Sequence, residues 1–85
     1  MRTAEDVTQT VCALFRNSLR ISEIDVEKPL LDYGLDSIRS AETIIELERE
    51  FAVEISDEQA AYLLTARDVI EFVRAELARR SEVGA

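Results

Sequence analysis

Apolar residues recur every three or four positions in three stretches of the chain, separated by stretches without that period. This spacing places side chains on one face of an α-helix, so each stretch predicts an amphipathic helix. The predicted helices span about residues 4–18, 37–50 and 66–80. Their apolar positions are Ala4, Val7, Val11, Leu14 and Phe15, then Ile38, Ala41, Ile44, Ile45 and Leu47, and finally Ala66, Val69, Ile70, Val73 and Leu77.

Polar pairs three residues apart mark where helices begin. A Ser or Thr followed by an acid or Gln at that distance is typical of a capping box. One such pair predicts a short further helix over about residues 57–64, which would bury Tyr62 and either Leu63 or Leu64. The pairs are Thr3 with Asp6, Ser56 with Gln59 and Thr65 with Asp68.

Residues 19–36 form a long connection that contains the only Pro, Pro29. The residue before a proline avoids the α region, so no helix should cross Lys28. The connection nevertheless carries apolar residues, including Ile21, Ile24 and Val26. We therefore expect it to lie across the helices as an ordered layer. The fold class predicted is all-α, a small four-helix bundle with a long first loop and a short third helix.

The length of 85 residues predicts one domain, residues 1–85. Ten basic against eighteen acidic residues give a net charge of −8, which disfavours nucleic acid as a partner. The chain has no long apolar run and no basic amphipathic helix, so no membrane partner is expected. The single Cys12 favours a reducing compartment. A cytoplasmic monomer is the expectation.

The residue inventory disfavours an enzyme. The chain has no His, which rules out a Ser-His-Asp triad. Gly34 lies three residues before Ser37, whereas a nucleophile elbow has glycine two residues before its serine. No metal-ligand motif is apparent, so no metal is expected.

Ser37 is the candidate functional residue, because of what precedes it. Gly34 allows a turn that other residues enter only with strain. Asp36 is suited to cap a helix whose first residue is Ser37. A phosphate on Ser37 would meet unpaired backbone N–H groups and the positive end of the helix dipole. The pattern predicts a covalent attachment point.

Residues 34–38 resemble the attachment motif of acyl carrier proteins, in which an Asp-Ser pair bears 4'-phosphopantetheine on the serine. Glu46–Phe51 is similar to the acidic second helix of that family, and Ile55–Glu58 to the start of its third helix. Asp32–Arg39 is especially similar to aryl carrier domains of nonribosomal siderophore synthesis. The stretch after Arg39 looks more like a fatty-acid or polyketide carrier.

The resemblance implies a role for each candidate residue. Ser37 would carry 4'-phosphopantetheine from coenzyme A, and Asp36 would help to engage the phosphopantetheinyl transferase and its metal. Leu35 and Ile38 would surround the base of the arm. Partner enzymes would be the transferase, a loading enzyme, and acyltransferases or synthases. The expected partner-contact residues on the second helix are Arg39, Glu42, Ile45, Glu46, Glu48 and Arg49.

Residues 32–58 contain nine acids and two arginines, so most of the net charge lies near Ser37. This concentration favours a docking surface for basic partners, and the alternative is a solvated helix face. The predicted function is a free-standing carrier of acyl or aminoacyl thioesters in polyketide or nonribosomal peptide biosynthesis. Two alternatives stay open: a housekeeping fatty-acid acyl carrier protein, and an unmodified acidic helical adaptor. The sequence does not specify the cargo, the pathway or the loading enzyme.

Overall fold

A computed structural model describes residues 4–84, with side chains described for residues 5–80. The helices are α1 (Ala4–Leu19), α2 (Ser37–Phe51), α3 (Asp57–Ala60) and α4 (Ala66–Gly84). A 3₁₀-helix, Leu30–Tyr33, lies between α1 and α2. No strand occurs within residues 4–84, so the predicted all-α bundle with a short third helix is confirmed. Thr3, half of the first predicted capping box, lies outside the described residues.

The core lies where α1 packs against both α2 and α4. Each of these helices contributes to it, since Phe15, Leu47 and Val73 are all fully buried, and α1 and α4 bury the apolar faces that their sequence periods predict. Val53 and Ile55, in the extended segment after α2, close one end of this core. Among residues 4–84, no helix combines the length and apolar character that a bilayer crossing requires.

The orientation of α2 differs from what its apolar residues alone suggest. Thr43, Leu47 and Phe51 are its buried residues, whereas Ile38 and Ile45 are 73% and 51% exposed. Thr43 is accommodated inside because its hydroxyl shares a hydrogen bond of 3.1 Å with the hydroxyl of Ser18 on α1. Three of the six apolar residues of α2, Ile38, Ala41 and Ile45, therefore face solvent.

The long first loop is ordered, as expected, because backbone hydrogen bonds fasten it to the start of α4. Leu30 N–H donates to Leu64 O at 2.8 Å, and Arg67 N–H donates to Val26 O at 3.0 Å. The side chains of Arg67 and Glu27 add an ion pair across the same junction. The partly buried apolar residues of the loop, Ile21, Ile24 and Val26, pack on the core.

The third helix ends at Ala60, four residues before the predicted position. Its start is as predicted, since Ser56 and Gln59 form both hydrogen bonds of a capping box. Asp68 ends the helical run by accepting the N–H groups of Leu64 and Thr65, which draws both residues into the cap of α4. The expected burial of Tyr62 is consequently wrong, because its side chain is 79% exposed.

The last helix continues to Gly84, beyond the predicted end at residue 80. Its N-terminal capping box is present in reciprocal form, since Asp68 N–H donates to Thr65 Oγ1 while the Asp68 carboxylate accepts Thr65 N–H.

The orientation of α2 predicts unequal effects for two neighbouring substitutions. Leu47→Ala should lower the free energy of unfolding by about 2–5 kcal/mol, because it leaves a cavity at a side chain that is 1% exposed. Ile45→Ala is the matched control and should cost less than about 1 kcal/mol. Urea denaturation of both variants measures the difference. Equal losses would contradict this orientation.

Candidate functional site

The segment that leads into α2 turns sharply at Gly34. This residue has φ 86° and ψ 21°, in the left-handed region that residues with a Cβ adopt at a cost. Its N–H donates to Leu31 O at 3.0 Å and closes the 3₁₀-helix. A Cβ at this position would meet no atom within 4 Å. The backbone conformation, and not lack of space, therefore favours glycine here.

Asp36 is the N-cap of α2, as predicted. Its extended backbone directs Oδ1 to Arg39 N–H, which donates to it at 2.8 Å. The first backbone hydrogen bond of the helix then runs from Ser40 N–H to Asp36 O, also at 2.8 Å. The N–H groups of Ser37 and Ile38 precede this bond and have no intrahelical acceptor.

Ser37 is the first residue of α2 and is exposed. The backbone N–H groups of Ser37 and Ile38 stand at this position, which is the positive end of a helix of fifteen residues. This donor set suits a phosphate oxygen better than a metal ion. Within residues 4–84, no group of three or more metal-ligating side chains forms a site.

The two apolar residues predicted beside Ser37 occupy different environments. Ile38 is exposed to solvent. Leu35 is half-buried and lines a small apolar cavity of about 60 Å³ between α2 and the segment after α3. That cavity is bounded by Phe15, Leu30, Leu35, Ser40, Thr43, Ile44, Leu47, Ala60, Leu63 and Val69.

Five of the six expected partner-contact residues share the exposed surface of α2. The four charged residues among them make no ion pair with any other side chain that the structure describes, so their charges are available to a partner protein. Together the five residues form a ridge in which two arginines flank two glutamates and one apolar residue, called here the α2 ridge. Its members are Arg39, Glu42, Ile45, Glu46 and Arg49.

Glu48, the sixth expected contact, has an internal role. It is half-buried, and its Oε2 accepts the backbone N–H of Ile55 at 3.0 Å. The carboxylate therefore fastens the end of α2 to the extended segment that follows. The sequence gave no signal of this structural role, because the hydrogen bond joins Glu48 to a residue seven positions away.

Sequence reasoning missed three exposed apolar residues near the site: Leu31, Tyr62 and Leu64. It also missed the anchor of the loop, in which Tyr33 Oη accepts the N–H of Asp25 at 2.8 Å. Lys28 Nζ lies 4.6 Å from the centre of the Tyr33 ring, a cation–π contact. These contacts hold the loop that precedes Gly34.

The chain matches known proteins over this region. A family model described as phosphopantetheine attachment site matches residues 9–73, which include the whole of α2 and the loop before it. The acyl carrier protein of Thermosynechococcus vestitus (strain NIES-2133 / IAM M-273 / BP-1) is 47% identical over 47 residues. Those residues are 55% of this chain and 58% of that relative, so the alignment covers little more than half of each.

The cap of α2 can be tested separately from any chemistry. Asp36→Ala should lower the free energy of unfolding by about 1 kcal/mol, because Arg39 N–H loses its acceptor. Asp36→Asn should recover most of that loss, since an amide oxygen caps equally well. Thermal and urea unfolding of the two variants provide the comparison. Equal destabilisation by both would show that charge, and not capping geometry, is what the helix needs.

Proposed function

The chain belongs to the phosphopantetheine attachment site family, and on that premise we propose that Ser37 is the residue that bears the group. The observation that carries the proposal is the exposed hydroxyl of Ser37 at the first position of α2, beside two backbone N–H donors. Residues 1–85 would act as one carrier domain. The identity of the attached group, 4'-phosphopantetheine, is inferred from the family.

The residues around Ser37 fit a phosphodiester. The N–H groups of Ser37 and Ile38 would hold its oxygens, and the helix dipole favours negative charge at that point by roughly 0.3–1 kcal/mol. Asp36, the nearest carboxylate in the chain, is engaged with Arg39 N–H. It therefore caps the helix while leaving the hydroxyl of Ser37 accessible.

Attachment would be a phosphoryl-type transfer at an oxygen of this chain. Ser37 Oγ would attack the phosphorus of coenzyme A that carries the pantetheine arm and form a new O–P bond. The pyrophosphate bond on the opposite side would break and release adenosine 3',5'-bisphosphate. The hydroxyl proton would pass to a base of the transferase, since the chain has no His and the Asp36 carboxylate accepts Arg39 N–H.

The bound group supplies a thiol that holds an acyl or aminoacyl chain as a thioester. The role of this chain is to display that thiol at the end of a flexible arm and to dock on successive enzymes, which raises its effective concentration at each of them. We propose that the protein serves polyketide or nonribosomal peptide biosynthesis. Arg39 supports this assignment, since it places a positive charge directly after the attachment motif, as does the likeness of Asp32–Arg39 to aryl carriers.

A housekeeping acyl carrier protein is the second candidate. The relative from Thermosynechococcus vestitus is named an acyl carrier protein, which favours an acyl cargo over an aminoacyl one. The α2 ridge suits either pathway, because its charges would steer docking in both. An unmodified adaptor would use the same ridge but would not need a free hydroxyl at residue 37.

Intact-mass measurement tests the attachment site. The purified protein should gain one phosphopantetheinyl group when incubated with coenzyme A, Mg²⁺ and a broad-specificity phosphopantetheinyl transferase. Ser37→Ala should gain none, because it lacks the accepting oxygen. Ser40→Ala is the matched control and should be modified like the parent. A folded parent that gains nothing, with a transferase active on another carrier, would favour the adaptor.

Charge reversal tests docking through the α2 ridge. Glu42→Lys should raise the KM of the transferase for this carrier by up to about fivefold at low salt, since exposed charge pairs are worth up to about 1 kcal/mol. Added salt should shrink the difference. Glu54→Lys makes the same change of net charge on the exposed segment after α2 and is the control. An equal effect of both variants would assign the result to net charge.

A further inference from the structure

Among residues 5–80, three large exposed apolar side chains lie off α2: Leu31, Tyr62 and Leu64, here called the Tyr62 patch. Their side chains are 77%, 79% and 62% exposed. Two segments supply them, the 3₁₀-helix and the turn between α3 and α4. These segments are joined where Leu30 N–H donates to Leu64 O at 2.8 Å, so the three residues are carried by one connected piece of backbone.

The Tyr62 patch lies at the same end of the bundle as Ser37. The 3₁₀-helix leads through Gly34 and Asp36 directly into α2. From the other side, Leu63 lines the same cavity as Leu35, which is two residues before Ser37. Leu63 lies between Tyr62 and Leu64 in the chain. The segment that carries these two residues therefore faces, across this cavity, the residues that precede Ser37.

The exposure of the patch is imposed by the fold. Leu63 is directed inward to the cavity, so its neighbours Tyr62 and Leu64 turn outward. Asp68 then fixes the turn by accepting the N–H groups of Leu64 and Thr65 at 3.0 and 3.1 Å. Large apolar side chains that a hydrogen-bonded turn keeps in water near a functional site indicate a contact surface.

Charges around the patch specify the complementary surface. Asp32, Asp57 and Glu58 are exposed and make no ion pair with the described side chains. The nearby Arg67 is already paired with Glu27. A partner that covers the patch should therefore present an apolar centre edged by Lys or Arg. A second copy of this chain does not fit, because it brings the same acidic edge and a net charge of −8.

We propose that the Tyr62 patch is a contact surface for the phosphopantetheinyl transferase, in addition to the α2 ridge; this inference rests on the proposed function of Ser37. The transferase acts before any arm exists, so its own active site must come within bonding distance of Ser37 Oγ. It must then cover the surface immediately around that residue. Enzymes that act later on the end of the arm are not bound by this requirement.

Transferase kinetics test the proposal directly. Tyr62→Ser combined with Leu64→Ser should raise the KM for this carrier about tenfold and leave kcat within about twofold, because the variants weaken docking and do not touch the reacting oxygen. Gln9→Ser is the control. This substitution changes an exposed side chain near the start of α1. The start of α1 lies near the C-terminal end of α2, whereas Ser37 is at the N-terminal end of α2. Its KM should match that of the parent.

A binding measurement without catalysis provides the second readout. Titration of ¹⁵N-labelled protein with the transferase, in the absence of coenzyme A, should shift the amides of Leu31, Tyr62 and Leu64 together with those of the α2 ridge. Shifts confined to the ridge, or an unchanged KM for the double variant, would overturn the inference while leaving attachment at Ser37 intact. If the parent protein gained no phosphopantetheinyl group, both this inference and the proposed attachment at Ser37 would be overturned.

Two controls keep the outcome interpretable. Thermal unfolding of the double variant should match the parent, since both side chains are largely exposed; a large loss of stability would make the patch a structural element and overturn the proposal. Sedimentation of the parent should give a monomer. Self-association abolished by the double variant would assign the patch to a second copy and would also overturn it.

Discussion

The hydrogen bond from Leu30 N–H to Leu64 O holds together the two segments on which the site depends. Together with the bond from Arg67 N–H to Val26 O and the Arg67–Glu27 ion pair, it attaches the seventeen-residue stretch between α1 and α2 to the start of α4. Closing a loop of this length costs conformational entropy, and the backbone hydrogen bonds at its far end help to offset that cost. The junction thereby fixes the loop that leads into α2 and Ser37, while α2 itself packs on α1.

The same junction explains why α3 is short. Once Leu64 O is committed to Leu30 and the N–H groups of Leu64 and Thr65 are committed to Asp68, the residues after Ala60 cannot continue a helix. They form turns instead, with Tyr62 N–H donating to Gln59 O. The exposed aromatic ring of Tyr62 is thus a consequence of hydrogen bonds made on both sides of it in sequence.

Local signals in the sequence were sufficient for the helix starts, including the start of α2 at Ser37. The caps at Asp36 and Ser56 each depend on side chains within three residues, so a short motif contains all the information that forms them. The outcomes that sequence missed depend on distant partners. Thr43 is buried because Ser18 on another helix meets its hydroxyl, and Glu48 is withdrawn from solvent by the backbone of Ile55.

The acidic charge and the exposed apolar residues are best understood together. Ile38, Ile45, Leu31, Tyr62 and Leu64 all face water in a chain of 85 residues, which would favour self-association in a neutral protein. A net charge of −8 opposes contact between identical copies, since like surfaces repel at short range. Repulsion of this kind does not act against a basic partner, and for such a partner it becomes attraction. The net charge therefore selects among partners. It disfavours contact of the exposed apolar residues with other copies of this chain and favours their contact with basic enzymes.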